Sequence, residues 1–139
     1  MFARLDMIRG QLALLKKQPK EARDHLQKAH ATLTATGHPE PRHVRVLTYL
    51  ALAEFEADEL DAALAHAKEA VAMSRERDKD FPGSERMGSA LVVLSKVQKR
   101  GGDAAAARAA FAEALTQLQT AVGANSPKAE AAGELLAGL

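Results

Sequence analysis

Apolar residues recur at steps of three and four along almost the whole chain, and short breaks rich in glycine and proline divide this pattern into seven segments. This periodicity is typical of amphipathic helices, whereas no stretch shows the alternation of two that predicts a strand. The chain therefore predicts an all-α fold with negligible strand content. The predicted helices cover about 4–17, 20–36, 42–57, 62–79, 85–100, 104–122 and 127–138.

Several of the breaks contain residues that typically begin or end a helix. Ser84, Asp103 and Ser126 each stand just before a helical segment, where a side-chain oxygen can accept a hydrogen bond from a free backbone amide. Pro127 fits the first turn of the last helix. Gly37 is expected to end the second helix because glycine readily adopts the left-handed conformation.

The second, fourth and sixth predicted helices share one pattern: alanine, a bulkier or apolar residue four positions later, and alanine three positions after that. Small residues at a helix contact allow close approach, so the same packing joint is predicted three times. Its first alanines are 41 and then 44 residues apart. A hairpin of this kind buries its apolar face only by stacking on its neighbours. The pattern reads Ala22-Leu26-Ala29, then Ala63-Ala67-Ala70, then Ala107-Phe111-Ala114.

Further residues belong to the same three units: Gly10 in the first, Leu47 and Leu50-Ala51 in the second, and Leu91, Leu94 and Gly102-Asp103 in the third. Together with the alanine pattern, they resemble the tetratricopeptide repeat family. The usual period of that family is about 34 residues. The longer period here resembles the longer-helix variant found in kinesin light chains and in many bacterial regulators. HEAT-like repeats have a similar period of about 40–47 residues and are the alternative.

The resemblance implies a right-handed stack of antiparallel helical hairpins. It predicts a single domain over 1–139, with hairpins at about 4–36, 42–79 and 85–122 and a capping helix at 127–138. The last helix is expected to cover the open edge of the third hairpin through Leu135 and Leu136. Because the chain goes straight into a helical pattern, it is interpreted as a fragment of a larger protein. Glu54 and Ala67 depart from the family pattern, which favours larger apolar residues there.

Composition narrows the classes of function. Of the 139 residues, 47% are hydrophobic and 30 are alanine, the strongest helix former. The net charge is +1, so the basic excess typical of nucleic-acid binders is absent. No cysteine is present, which fits a reducing compartment such as the cytoplasm. No apolar stretch is long enough to predict a membrane span.

The chemistry-bearing residues predict neither a metal site nor a catalytic site. The histidines are His25, His30, His38, His43 and His66. The pairs His25/His30 and His38/His43 are both five apart rather than three or four. They are interpreted as solvated or capping residues. Carboxylate pairs such as Glu54 and Asp58 have no indicated pocket to shift their pKa values. No cofactor motif is present, so the chain is expected not to be an enzyme.

The resemblance also implies a groove lined by the first helix of each hairpin. The set is largely apolar and basic at one end, which suits an extended or helical peptide with apolar anchors and an acidic flank. Leu52 stands where carboxylate-clamp members of the family need a polar amide, so that version is not indicated. The predicted partner-binding groove consists of Gln11, Leu14, Leu15, Thr48, Tyr49, Leu52, Phe55, Val92, Lys96 and Lys99.

The alternative hypothesis is structural: the repeats mediate self-association or extend a larger solenoid, with no separate ligand. If a preceding hairpin were missing, the first helix would leave an apolar face around Ile8 and Leu12 uncovered. That face would be free to pair with another copy, which would give a homodimer through the first helix.

Overall fold

The computed structural model describes residues 3–36, 41–80, 83–123 and 125–137, apart from the side chains of Pro41, Leu135 and Leu136. This part of the chain is all-α and contains no strand, as the periodicity predicted. The expected cap at Gly37 and the expected edge contacts of Leu135 and Leu136 lie outside the described residues. The helices are α1 (Ala3–Leu15), α2 (Pro19–Ala35), α3 (Pro41–Glu56), α4 (Leu60–Arg77), α5 (Glu85–Arg100), α6 (Ala104–Val122) and α7 (Pro127–Ala137).

Three hairpin turns of one geometry join α1 to α2, α3 to α4 and α5 to α6. Each contains one residue with a left-handed backbone: Lys17 at φ 58°, Asp58 at φ 62° and Gly102 at φ 89°. The amide after that residue donates to a carbonyl five positions earlier, at 2.8–3.0 Å in all three turns. The three left-handed residues are 41 and 44 residues apart, so the backbone repeats with the period of the alanine pattern.

The helix starts predicted from single residues are confirmed. The Ser84 hydroxyl accepts from the amide of Met87 at 3.1 Å, and Asp103 Oδ1 accepts from the amide of Ala106 at 3.1 Å. Ser126 caps α7 in the same way, at 3.2 Å. Each cap satisfies one of the amides that the first turn of a helix leaves unpaired.

The alanine pattern forms the joints of the stack. All nine of its residues are at most 1% exposed, so the predicted packing face is confirmed in α2, α4 and α6. Consecutive helices pack against each other throughout, and α3 also contacts α5. The core extends from α1 to α7 through three clusters that share α3, α5 and α6 as common walls.

Helix α1 packs through a different face from the one that carries its large side chains. Its buried residues are Ala3, Met7, Gly10 and Ala13. A Cβ on Gly10 would clash with Cγ of Leu26, so the Leu26 side chain of α2 packs directly against the backbone of α1 there. The apolar stripe seen in the sequence is exposed instead, with values of 44% for Leu5, 48% for Ile8, 49% for Leu12 and 81% for Leu15.

No helix in the described part of the chain is both long and apolar enough to cross a bilayer.

Candidate functional site

A cleft of about 390 Å³ opens between α3, α5 and α7. These are alternate helices of the chain, and α6 contributes only Leu118 to the wall. The first helices of successive hairpins therefore face this space, with α7 in the place of the next first helix. The lining residues are Val44, Arg45, Thr48, Tyr49 and Leu52 of α3, Glu85, Arg86, Ser89, Val92, Val93 and Lys96 of α5, Leu118, and Lys128, Ala131 and Ala132 of α7.

Helical spacing explains why these side chains meet. On α5, Glu85, Ser89, Val92 and Lys96 follow one another at steps of four, three and four and so share one face. On α3, the hydroxyl of Thr48 donates to a carbonyl of its own helix at 2.8 Å. That hydrogen bond satisfies the only polar group of the side chain and leaves its methyl group as part of an apolar wall.

The cleft carries an excess of positive charge. Four basic side chains, Arg45, Arg86, Lys96 and Lys128, surround the single acidic side chain Glu85. Lys128 forms an ion pair with Glu85, and this hydrogen bond together with its charge lowers the pKa of the Glu85 carboxyl. Arg86 forms an ion pair with the buried carboxylate of Asp78, which follows α4, at 2.8 Å. Lys96 makes no ion pair with any residue that the structure describes, so its charge is available to a ligand.

Five of the ten predicted groove residues line the cleft, and all five lie on α3 or α5. They form two facing walls, with Thr48, Tyr49 and Leu52 on one side and Val92 and Lys96 on the other. These five predicted residues of α3 and α5 therefore lie around one common space.

The other five predicted residues do not line the cleft. Gln11, Leu14 and Leu15 belong to α1. Leu14 packs against the core cluster that α1, α2 and α3 form, while Leu15 faces solvent. Lys99 is exposed near the C-terminal end of α5. Phe55 is partly buried and packs against the core cluster of the second and third hairpins. The space between α1 and α3 is thus filled by their own side chains, with Leu14 and Tyr49 packed on the same cluster.

Phe55 is already covered by a neighbouring hairpin. The guanidinium carbon of Arg100 lies 4.4 Å from the centroid of its ring, and Arg100 also forms an ion pair with Asp58 at 2.9 Å. A cation over an aromatic face is attracted by the ring quadrupole. This contact ties the second hairpin turn to the end of α5, so Phe55 is engaged within the stack.

Sequence reasoning missed the third wall of the cleft, which is α7. This helix packs on α6 through Ala129 and Ala132, which form a small cluster with Leu118. Its interpretation as a cap did not include a role in the groove. The alternation of first and second helices was the available signal, because a seventh helix in the chain occupies the position of a first helix.

A second group of polar side chains gathers where α2, α3 and α4 meet. His30 Nδ1 lies 2.9 Å from His43 Nε2, and the rings of His30 and His66 are in edge contact with centroids 5.6 Å apart. His66 Nδ1 lies 2.6 Å from Oε1 of Glu54, which is only 1% exposed. The interpretation of the histidines as solvated or capping is wrong for His43, which is 7% exposed.

The two partly buried histidines of this group have opposite pKa shifts. Burial lowers the pKa of His30, since desolvation disfavours the imidazolium, and the charge of His66 adds to this effect. The hydrogen bond with Glu54 raises the pKa of His66 because the carboxylate stabilises the protonated ring. The sequence hid this group because its members come from three helices, whereas spacing arguments compare positions along one.

Comparison with known proteins agrees with the architecture. A comparison with curated proteins found no match to the chain. The sequence profile of the tetratricopeptide repeat matches residues 2–76, which is more than half of the chain and covers the first two hairpins. The third hairpin repeats their turn geometry and their buried alanine pattern. The chain belongs to the tetratricopeptide repeat family.

Proposed function

We propose that this chain binds a segment of a partner protein in the cleft between α3, α5 and α7. Membership of the tetratricopeptide repeat family supports a role in protein interaction or scaffolding in general. The cleft is the observation that carries the specific proposal, because it combines apolar walls, an excess of positive charge and the alternate helices of the stack. Its volume of about 390 Å³ accommodates a few side chains rather than a folded domain.

The chemistry of the walls defines the expected ligand. Leu52, Val92 and Val93 offer an apolar surface to one or two large side chains of a bound peptide. Lys96 lies at the edge of that surface and attracts a carboxylate beside the apolar anchor. The preferred segment therefore contains a large apolar residue with Asp or Glu nearby, in an extended or helical conformation.

Selection from a random peptide library against the purified chain tests this specificity. We expect the recovered peptides to combine a large apolar residue with a neighbouring acidic residue. Ser89→Phe would fill the cleft from the partly exposed Ser89 without removing a core side chain, so it should abolish binding. Lys96→Glu should weaken binding, and the defect should shrink as salt rises because rim charges act through screened attraction.

Two control variants lie on the exposed face of α4. Ala65→Phe adds an aromatic ring and Lys68→Glu reverses a charge, both away from the cleft. Fluorescence polarisation of a labelled selected peptide should give unchanged affinity for both. Equal affinity for Ser89→Phe and the parent protein would refute the assignment of the cleft as the binding site.

A structural role is the second candidate, and the exposed stripe of α1 favours it. Leu5, Ile8, Leu12 and Leu15 form a row of large apolar side chains that no other helix covers in the described part of the chain. Such a surface suits a second copy of the chain or an adjacent repeat. A change from dimer to monomer in an Ile8→Glu variant, with no library peptide whose binding Ser89→Phe weakens, would favour this role over the cleft.

A further inference from the structure

The group at the meeting of α2, α3 and α4 contains three residues whose ligand atoms converge. His30 of α2 and His66 and Glu69 of α4 each offer one nitrogen or oxygen atom, and these atoms all lie within 4.8 Å of one another. His66 and Glu69 are three positions apart, so they share a face of α4. None of the three lines the binding cleft.

The hydrogen bonds around the two imidazoles leave one nitrogen of each ring for a ligand. Nδ1 of His66 is engaged by the buried carboxylate of Glu54 at 2.6 Å. Nδ1 of His30 is engaged by His43 at 2.9 Å. In both rings, Nε2 is the nitrogen that remains. A histidine whose second nitrogen is fixed by a carboxylate or another acceptor is the usual arrangement around a protein-bound metal ion.

We propose that His30, His66 and Glu69 bind a divalent transition-metal ion of the zinc type. Two imidazoles and one carboxylate suit zinc, which takes nitrogen and oxygen ligands at about 2.0–2.2 Å in a four-coordinate site. A water molecule or a partner side chain supplies the fourth ligand. The three side chains already bring one possible ligand atom each to within 4.8 Å of the others, and they would close further around a bound ion.

The ion would join the first hairpin to the second. His30 comes from the second helix of one hairpin, whereas His66 and Glu69 come from the second helix of the next. Metal binding would therefore stabilise the stacked arrangement of α2 and α4, because an ion that binds only the folded state raises its stability.

Calorimetric titration of the untagged chain with zinc chloride in a buffer that does not chelate tests the proposal. The expected result is one zinc ion per chain, accompanied by a higher melting temperature. Glu69→Gln removes a ligand at an exposed position. It should weaken zinc binding by at least about tenfold, because even the loss of a residue that only orients a metal ligand typically costs that much affinity. His66→Gln should remove measurable binding.

His25→Gln is the matched control, because His25 lies on α2 outside the group. It should bind zinc like the parent chain. His66→Gln also deprives the buried Glu54 of its hydrogen-bond partner. If that variant does not fold, the zinc affinity of Glu69→Gln tests the site on its own. The absence of zinc binding, or equal affinity in Glu69→Gln and the parent, overturns the site; so does loss of binding in His25→Gln alone.

Discussion

At the scale of single residues, Asp78 illustrates how one buried carboxylate joins two helices. It follows α4 and accepts hydrogen bonds from the hydroxyls of Ser74 at 3.0 Å and Ser84 at 2.6 Å and from the guanidinium of Arg86 at 2.8 Å. Ser84 in turn caps α5. Burial alone would raise the pKa of Asp78, but these donors outweigh it and hold that pKa below its ordinary value.

The lowered pKa of Asp78 predicts a stability difference that depends on pH. The charged carboxylate stabilises the fold above the pKa of the unfolded chain, about 3.9, and this contribution is lost as the pH falls through the lower pKa of the folded state. Asp78→Asn should therefore reduce the free energy of unfolding by about 1.5–3 kcal/mol at neutral pH, as expected for hydrogen bonds to a charged group. Urea unfolding of both proteins measures this difference.

The pH series provides its own control. Below about pH 4 the parent protein begins to lose the same charge that the variant lacks throughout, so the two free energies should converge. Asp80→Asn, at an exposed position two residues away, should show little difference at any pH. A constant gap between parent and Asp78→Asn across the whole range would contradict the role given to the charge.

At the scale of helices, Gly88 is a point where a side chain of α6 packs directly against the backbone of α5. A Cβ at this position would lie 2.6 Å from Cγ and 2.7 Å from Cδ2 of Leu118, which is only 2% exposed. Gly88→Ala should therefore cost about 1–3 kcal/mol through overpacking, despite the better helix propensity of alanine. Thermal or urea unfolding measures the change.

Gly133 of α7 is the matched control for Gly88. Its added Cβ would make only an ordinary contact, 3.9 Å from Leu115 Cδ1. Gly133→Ala should thus leave stability unchanged or raise it by up to about 1 kcal/mol, since alanine favours the helix. Similar destabilisation by the two substitutions would mean that α5 and α6 are not packed as closely as described.

The helices and joints were predictable because their signals lie within short stretches of sequence. Small residues at Ala22, Ala63 and Ala107 repeat with the hairpin period, and caps such as Ser84 and Ser126 act on amides only three positions away. These interactions are local, so spacing along the chain is enough to identify them.

The sites were less predictable because they combine residues from separate helices. The alternation of helices along the sequence placed Leu52 and Val92 on first helices, whereas the contribution of α7 to the cleft depends on the tertiary path of the chain. His30 and His66 meet only because the hairpins stack in register. For α1, periodicity identified a large apolar stripe around Ile8, but the small residues around Gly10 determine the packed face.

At the scale of the whole molecule, the two ends of the stack differ. At one end, α7 buries Ala129 and Ala132 against α6. At the other, α1 presents the exposed stripe of Leu5, Ile8, Leu12 and Leu15. A row of this kind is a surface that another protein chain would remove from water at a gain of about 25 cal/mol for each Å² buried. A second copy of the chain offers the same stripe, and an antiparallel pair would bury both.

The exposed stripe predicts self-association through α1. Sedimentation velocity over a wide range of protein concentration should show the parent chain shifting from monomer to dimer. Ile8→Glu combined with Leu12→Glu places charges in the centre of the contact and should keep the chain monomeric without lowering its melting temperature, because both side chains are about half exposed in the monomer. Ala105→Glu with Ala109→Glu, a pair of the same spacing on the exposed face of α6, should dimerise like the parent.

A parent chain that stays monomeric at the highest concentration, or a double variant of α1 that still dimerises, would show that this stripe does not join two copies. Dimerisation that α1 controls would instead identify the stripe as the contact between them and leave the cleft on α3, α5 and α7 open in each copy.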